Sequence, residues 1–168
     1  MPWVAVLMGS ESDWPIMQSC TETLDSLGVG FEVRVTSAHR TPAATAEYVD
    51  DAAARDCRVF VCAAGLAAHL AGAVAAHTTR PVIGVPIDGG PFNGADALLS
   101  TVMMPGGVPV ATVAVGKAGA KNAGYLAAQM LAVADDDLAL RIAADREANA
   151  AKVAVQNESV QRSLTQSA

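Results

Sequence analysis

Aromatic residues are scarce in this chain. Three Phe, two Trp and two Tyr are spread over 168 residues, yet hydrophobic residues make up 52% of the total. The interior must therefore be built from Ala, Val and Leu, whose small side chains let helices approach helices and sheets closely. Basic residues are also short: 11 Lys and Arg stand against 17 Asp and Glu, for a net charge of −6. No basic face is available to neutralise a phosphate backbone, which argues against nucleic acid as a partner. A small anion remains possible, because one or two cations and a helix N-terminus suffice to hold it.

Cysteine is nearly absent as well. Cys20, Cys57 and Cys62 are odd in number and have no CxxC spacing, so neither a disulfide framework nor a zinc site is expected. They read as reduced, mostly buried thiols of an intracellular protein. The opening MPWVAVLMGS lacks a basic n-region, so no signal peptide is expected and the placement is cytoplasmic. The one long uncharged run, residues 59–76, holds two glycines and a histidine and is mostly alanine. It fits a buried strand followed by a buried helix better than a membrane span. No His, Cys, Asp or Glu cluster has metal-ligand spacing and no Ser-His-Asp order is readable, so no metal or other cofactor is expected.

What the chain does have is alternation. Short apolar runs predict strands at 3–8, 31–35, 58–64, 81–86 and 109–115. Helical periodicity predicts helices over 13–27, from Thr41-Pro42 to about Arg55, 67–77, 95–103, 118–134 and 136–154. Thr41 reads as an N-cap, with Pro42 at the first helical position. The polar segment from 156 onward is left unassigned, and residues 1–155 read as a single domain without repeats or a linker. Strands that are apolar throughout, alternating with helices, imply a parallel sheet covered on both faces. Right-handed crossovers make this a three-layer α/β/α doubly wound fold, most simply flavodoxin-like, with a C-terminal helical extension. Ligands of such folds bind beyond the carboxyl ends of the strands. That rule selects the loops at 9–13, 36–40, 64–72 and 87–96.

Those loops carry the chemistry. In MGSESDW (8–14), Gly9 permits a sharp turn, Ser10 and Ser12 offer hydroxyls, and the helix start offers free N–H groups. The loop is neither a Walker A nor a GxGxxG motif, which disfavours nucleoside triphosphates and dinucleotides. Asp13 suits a ribose diol, although Ser12 and Asp13 as plain helix caps explain the pattern too. In SAHR (37–40), Arg40 presents a planar fork matched to phosphate or carboxylate. His39 beside it is able to act as general acid and base in turn; a solvated helix-entry loop is the plainer alternative. AAGLAAHLAG (63–72) is a loop of small residues that admits a ligand close to the backbone. Within it His69 reads equally as a satisfied, partly buried histidine. DGGPFNGAD (88–96) reads as a mobile lid whose acids serve turns and caps.

Taken together, MGSESDW, SAHRTP, AAGLAAHLAG, PVIGVP and the stretch from Leu98 to Leu131 resemble the N5-carboxyaminoimidazole ribonucleotide mutase family of purine biosynthesis (PurE), in the same order along residues 4–140. The resemblance implies a flavodoxin-like domain assembled as a homo-octamer. The implied reaction moves a carboxylate from the exocyclic nitrogen of an aminoimidazole ribonucleotide to a ring carbon, with His39 as the acid and base. It further implies that Ser10, Ser12 and Arg40 hold the 5′-phosphate with help from Ser37. Asp13 would hold the ribose hydroxyls, and Gly9, Ala64 and Gly65 would offer backbone contacts. Transient contact with the synthetase that makes the unstable substrate is a further implied partner. Ala71 stands where the family commonly has proline, Ala97 where serine is frequent and Met103 where glutamine is. Arginine after the histidine is the expectation for the mutase class, lysine for the class that carboxylates aminoimidazole ribonucleotide directly. A module binding flavin mononucleotide is the rival from outside the family, weakened because only Trp14 lies near a candidate loop.

Overall fold

The structure is a computed structural model and describes residues 2–166. Five strands, β1 (Trp3–Met8), β2 (Gly30–Val35), β3 (Cys57–Ala64), β4 (Val82–Pro86) and β5 (Ala111–Thr112), form one parallel sheet in the order β2-β1-β3-β4-β5. Six helices accompany them: α1 (Trp14–Ser26), α2 (Pro42–Ala54), α3 (Leu70–His77), α4 (Ala95–Val102), α5 (Lys117–Ala132) and α6 (Asp136–Gln166). This is the doubly wound order expected from the sequence, with its reversal of winding between β1 and β3.

The apolar runs explain the layering. Along β1 the side chains alternate between two cores. Val4, Val6 and Met8 face a cluster with Met17, Leu24, Val59, Ile83 and the Ala-rich side of α5, whereas Ala5 and Leu7 face Val49, Phe60, Cys62, Leu70 and Val74. The first core is covered by α1 and α5, the second by α2 and α3. Small side chains make that cover thin. A methyl placed on Gly124 would lie 2.8 Å from the Cys20 carbonyl oxygen and 2.9 Å from Thr23 Cβ, so α5 lies directly against the backbone of α1. Cys20, Cys57 and Cys62 are free and buried. Burial pushes the Cys20 thiol up to about 12 and that of Cys57 to about 11, which keeps both protonated.

Several boundaries differ from expectation, each for a local reason. The expected strand 109–115 is paired only at Ala111 and Thr112: Pro109 has no N–H to donate, and Gly116 (φ +74) then turns the chain into α5. α3 begins at Leu70 rather than 67, because Leu66 is held at φ +55 and a turn closes from the His69 N–H to the Ala67 carbonyl. A 3-10 turn, Glu11–Asp13, precedes α1. Thr41 stands at the N-cap of α2 with Pro42 following it, as expected, but its side chain makes no cap bond. Its hydroxyl turns back instead, accepting from the Ser37 N–H (3.0 Å) and donating to the Ser37 carbonyl (3.2 Å), and so closes the SAHR loop. Of the segment left unassigned, residues 156–166 are helical, because α6 runs across position 155 without a break to Gln166; residues 167 and 168 lie outside the described residues.

Strand register brings the loops level. Met8 pairs with Val35 on one side and Ala63 on the other, and Ala64 pairs with Pro86. The four loops that follow therefore leave the sheet at one edge.

Candidate active site

At that edge lies a cleft of about 690 Å³. Gly9, Ser10, Ser12, Asp13, Ser37, His39, Arg40, Ala64 and Gly65 all line it, so every residue selected from the sequence is brought to one place. The wall also includes Leu66, Ala67, His69, Leu70, Ile87 and Asp88.

The loop after β1 is fixed by its own polar groups. The Gly9 N–H donates to the Ala63 carbonyl at 3.1 Å, tying the loop to β3. Ser10 and Asp13 form a capping box: Ser10 Oγ accepts from the Ser12 N–H (3.3 Å), and Asp13 Oδ2 accepts from the Ser10 N–H (3.2 Å). The Ser12 hydroxyl donates to Ser10 Oγ at 2.9 Å. Ser10 is thus the cap, while Asp13 returns a bond to the loop backbone. Asp13 is only 7% exposed. Burial raises its carboxyl above the usual range, and donors from Ser10, Ser12 and Gly9 partly offset that rise.

The loop after β2 supplies the cation. Ser37 Oγ accepts from the Arg40 N–H (3.2 Å) and from Arg40 Nε (3.4 Å), while Arg40 Nη2 donates to the Gly9 carbonyl at 2.9 Å. These bonds hold the guanidinium beside the Gly9–Ser12 loop. Among the described residues it has no carboxylate partner, so its positive charge is free to meet an anion there. Arginine, three serine hydroxyls and the helix start converge on one spot, which is the chemistry of a phosphate grip.

His39 crosses the cleft. Its Nε2 lies 2.7 Å from Nδ1 of His69, with the rings edge to face and their centroids 4.9 Å apart. One proton lies between the two nitrogens, so the bond stands only while at least one ring is neutral. The bond joins two unlike walls. Loops after β1 and β2 contribute hydroxyls, a carboxylate and a guanidinium; the segments after β3 and β4 contribute Ala64, Leu66, Ala67, Leu70 and Ile87, with Asp88 as their carboxylate, lying beside Gly116. His69 is the cleft residue that residue-by-residue reading left open. The available signal was topological, since both histidines follow strands that flank β1. Ala71 is buried in the first turn of α3, a position that proline also tolerates. Ala97 is buried in α4 and Met103 is exposed beyond it.

The match to known proteins follows the same frame. The sequence model of the AIR carboxylase family matches residues 3–162. The chain belongs to that family. An N5-carboxyaminoimidazole ribonucleotide mutase of Bacillus subtilis is 53% identical over 146 residues, 87% of this chain and 90% of the relative. One from Mycobacterium tuberculosis is 50% identical over 161 residues, 96% and 91% of the two chains. The crystal structure of Treponema denticola PurE superposes with a TM-score of 0.86 at 29% identity, covering 94% of this chain and 98% of that one. Among the described residues no helix is long and apolar enough to cross a membrane.

Proposed function

We propose that this chain is an N5-carboxyaminoimidazole ribonucleotide mutase of purine biosynthesis, an isomerase, with His39 as its single acid and base. The observation that carries the reading is the position of His39, bonded to His69 between a phosphate grip and an apolar wall. The 5′-phosphate sits on Ser10, Ser12, Ser37 and Arg40, and the ribose hydroxyls on Asp13. Gly9, Ala64 and Gly65, which line the same cleft, offer backbone contacts to the substrate.

Protonated His39 gives its proton to the exocyclic nitrogen as the N–C bond to the carboxylate breaks. The bonding pair stays on nitrogen and carbon dioxide is released within the cleft. The electron-rich ring carbon then attacks carbon dioxide, and the proton on that carbon passes to His39. His39 ends protonated, as it began, so no outside acid, base or co-reactant enters the balance. His69 orients the imidazole through the 2.7 Å bond. Speed depends on the ring and carbon dioxide staying in contact, which is a proximity effect served by the small-residue wall.

The arginine after His39 supports the mutase over direct carboxylation, as do the names and identities of relatives covering most of the chain. A homo-octamer, a cytoplasmic location and transient contact with the substrate-making synthetase complete the reading. The exposed apolar side chains of α4 and α6, Leu99, Val102, Leu140, Val153 and Val160, support assembly. The test supplies each ribonucleotide in turn, with and without bicarbonate. Expected is ATP-independent conversion of the N-carboxylated substrate without added bicarbonate. Turnover of aminoimidazole ribonucleotide plus bicarbonate, with none of the N-carboxylated substrate, would make the chain a direct carboxylase.

A further inference from the structure

The strained point of the cleft is Leu66. It is one of three described non-glycine residues at positive φ (+55°), with Asp56 and Asn93. Asp and Asn visit that region readily, whereas a bulky leucine there is an outlier. Core burial does not compensate: Leu66 lines the cleft yet is 54% exposed. Its side chain reaches instead to the facing loop after β4. A methyl placed on Gly90 would lie 2.5 Å from Leu66 Cδ2, and Gly90 itself is at φ +67. The two loops thus meet through one leucine resting on a glycine, on the apolar side of the His39–His69 bond. Strain of this kind, kept at a cleft and unrelieved by packing, points to function.

We propose that Leu66 is the gate that retains carbon dioxide, closing the apolar wall between the loops after β3 and β4. The proposal rests on the mutase reading. Carbon dioxide has no proton to donate and no charge, so an apolar cover holds it without competing for the polar groups of the ribonucleotide, and excludes water from the same space. A leucine that spans the gap does this; alanine or glycine leaves the gap open.

The test runs the N-carboxylated substrate in carbon-13 bicarbonate and measures label in the C-carboxylated product together with aminoimidazole ribonucleotide set free. Wild type is expected to keep the substrate's own carboxyl group in most of its product. Leu66→Ala and Leu66→Gly are each expected to raise labelled product and freed aminoimidazole ribonucleotide about threefold or more, because escape then competes with recapture. Leu66→Gly is expected to melt no lower than wild type, since glycine relieves the strain at φ +55. Wild-type labelling in two folded, active variants would overturn the proposal and leave the mutase standing. Wild-type labelling with a changed oligomeric mass would make Leu66 a subunit contact instead. Loss of the fold in Leu66→Gly would show that the leucine is a packing residue. No product from the wild-type protein would remove the mutase reading itself.

Discussion

Asp13 is buried where its charge is least easily hydrated, and the free fold bears that cost. Its raised carboxyl means that the folded chain binds this proton more tightly than the unfolded chain does. The resulting stability is full below the ordinary carboxylate range and is lost as pH rises through the raised value. At neutral pH, Asp13→Asn is therefore expected to melt higher than wild type, with the gap closing below about pH 4. The same variant deprives the ribose of a charged acceptor. Hydrogen bonds to charged groups contribute about 1.5–3 kcal/mol, so KM is expected to rise by roughly 10- to 100-fold with kcat less affected. An unchanged KM would remove Asp13 from the ribose site. SAHR and GSESD were legible in the sequence because each clusters polar residues directly after an apolar strand, SAHR with one of only three histidines. His69 was not, since an isolated histidine among alanines looks the same whether it packs or acts. Only the 2.7 Å bond to His39 separates the two.

At the scale of elements, the aromatic-poor composition becomes a packing rule: α5 meets α1 through Gly124, Ala120, Ala123 and Ala127, and the interface has no slack. Gly124→Ala places a methyl 2.8 Å from a backbone oxygen. Overpacking of this kind costs about 1–3 kcal/mol and outweighs alanine's helix preference. A fall in melting temperature of roughly 2–8 °C is expected by calorimetry, and an equal or higher value would show that the helices separate freely. The main strands and helices were legible because their apolar periods are unambiguous. The elements that departed from expectation are those where one residue overrides the period: Pro109 trims β5 and Leu66 delays α3. The last turns of α6 were illegible because a polar helix without a buried face leaves little apolar periodicity to read.

At the scale of the whole molecule, the strand order follows from the chirality of βαβ crossovers, and with it the location of the cleft. α6 does not belong to that frame throughout. Its first turns are anchored, with Leu138 buried, Arg141 Nε donating to the Leu27 carbonyl, and Asp145 accepting from the Tyr125 hydroxyl. From residue 151 to 165 every residue is exposed, Val153, Val155, Val160 and Leu164 among them. Removing residues 151–168 is expected to leave the melting temperature of the domain within a few degrees and to lower the mass seen by light scattering. An octamer of unchanged stability would contradict a role for α6 in assembly.

In the proposed reaction one imidazole both gives and takes the proton. Single-turnover conversion of N5-carboxyaminoimidazole ribonucleotide by His39→Asn, set beside wild type and paired with a nucleotide-binding titration, tests it most directly. General acid–base catalysis contributes about 10²- to 10⁴-fold, and here both proton steps share one group. The expected result is a rate lower by roughly 10³-fold or more, with nucleotide affinity within a few fold of wild type. Conversion within about tenfold of wild type would place the acid and base elsewhere in the cleft.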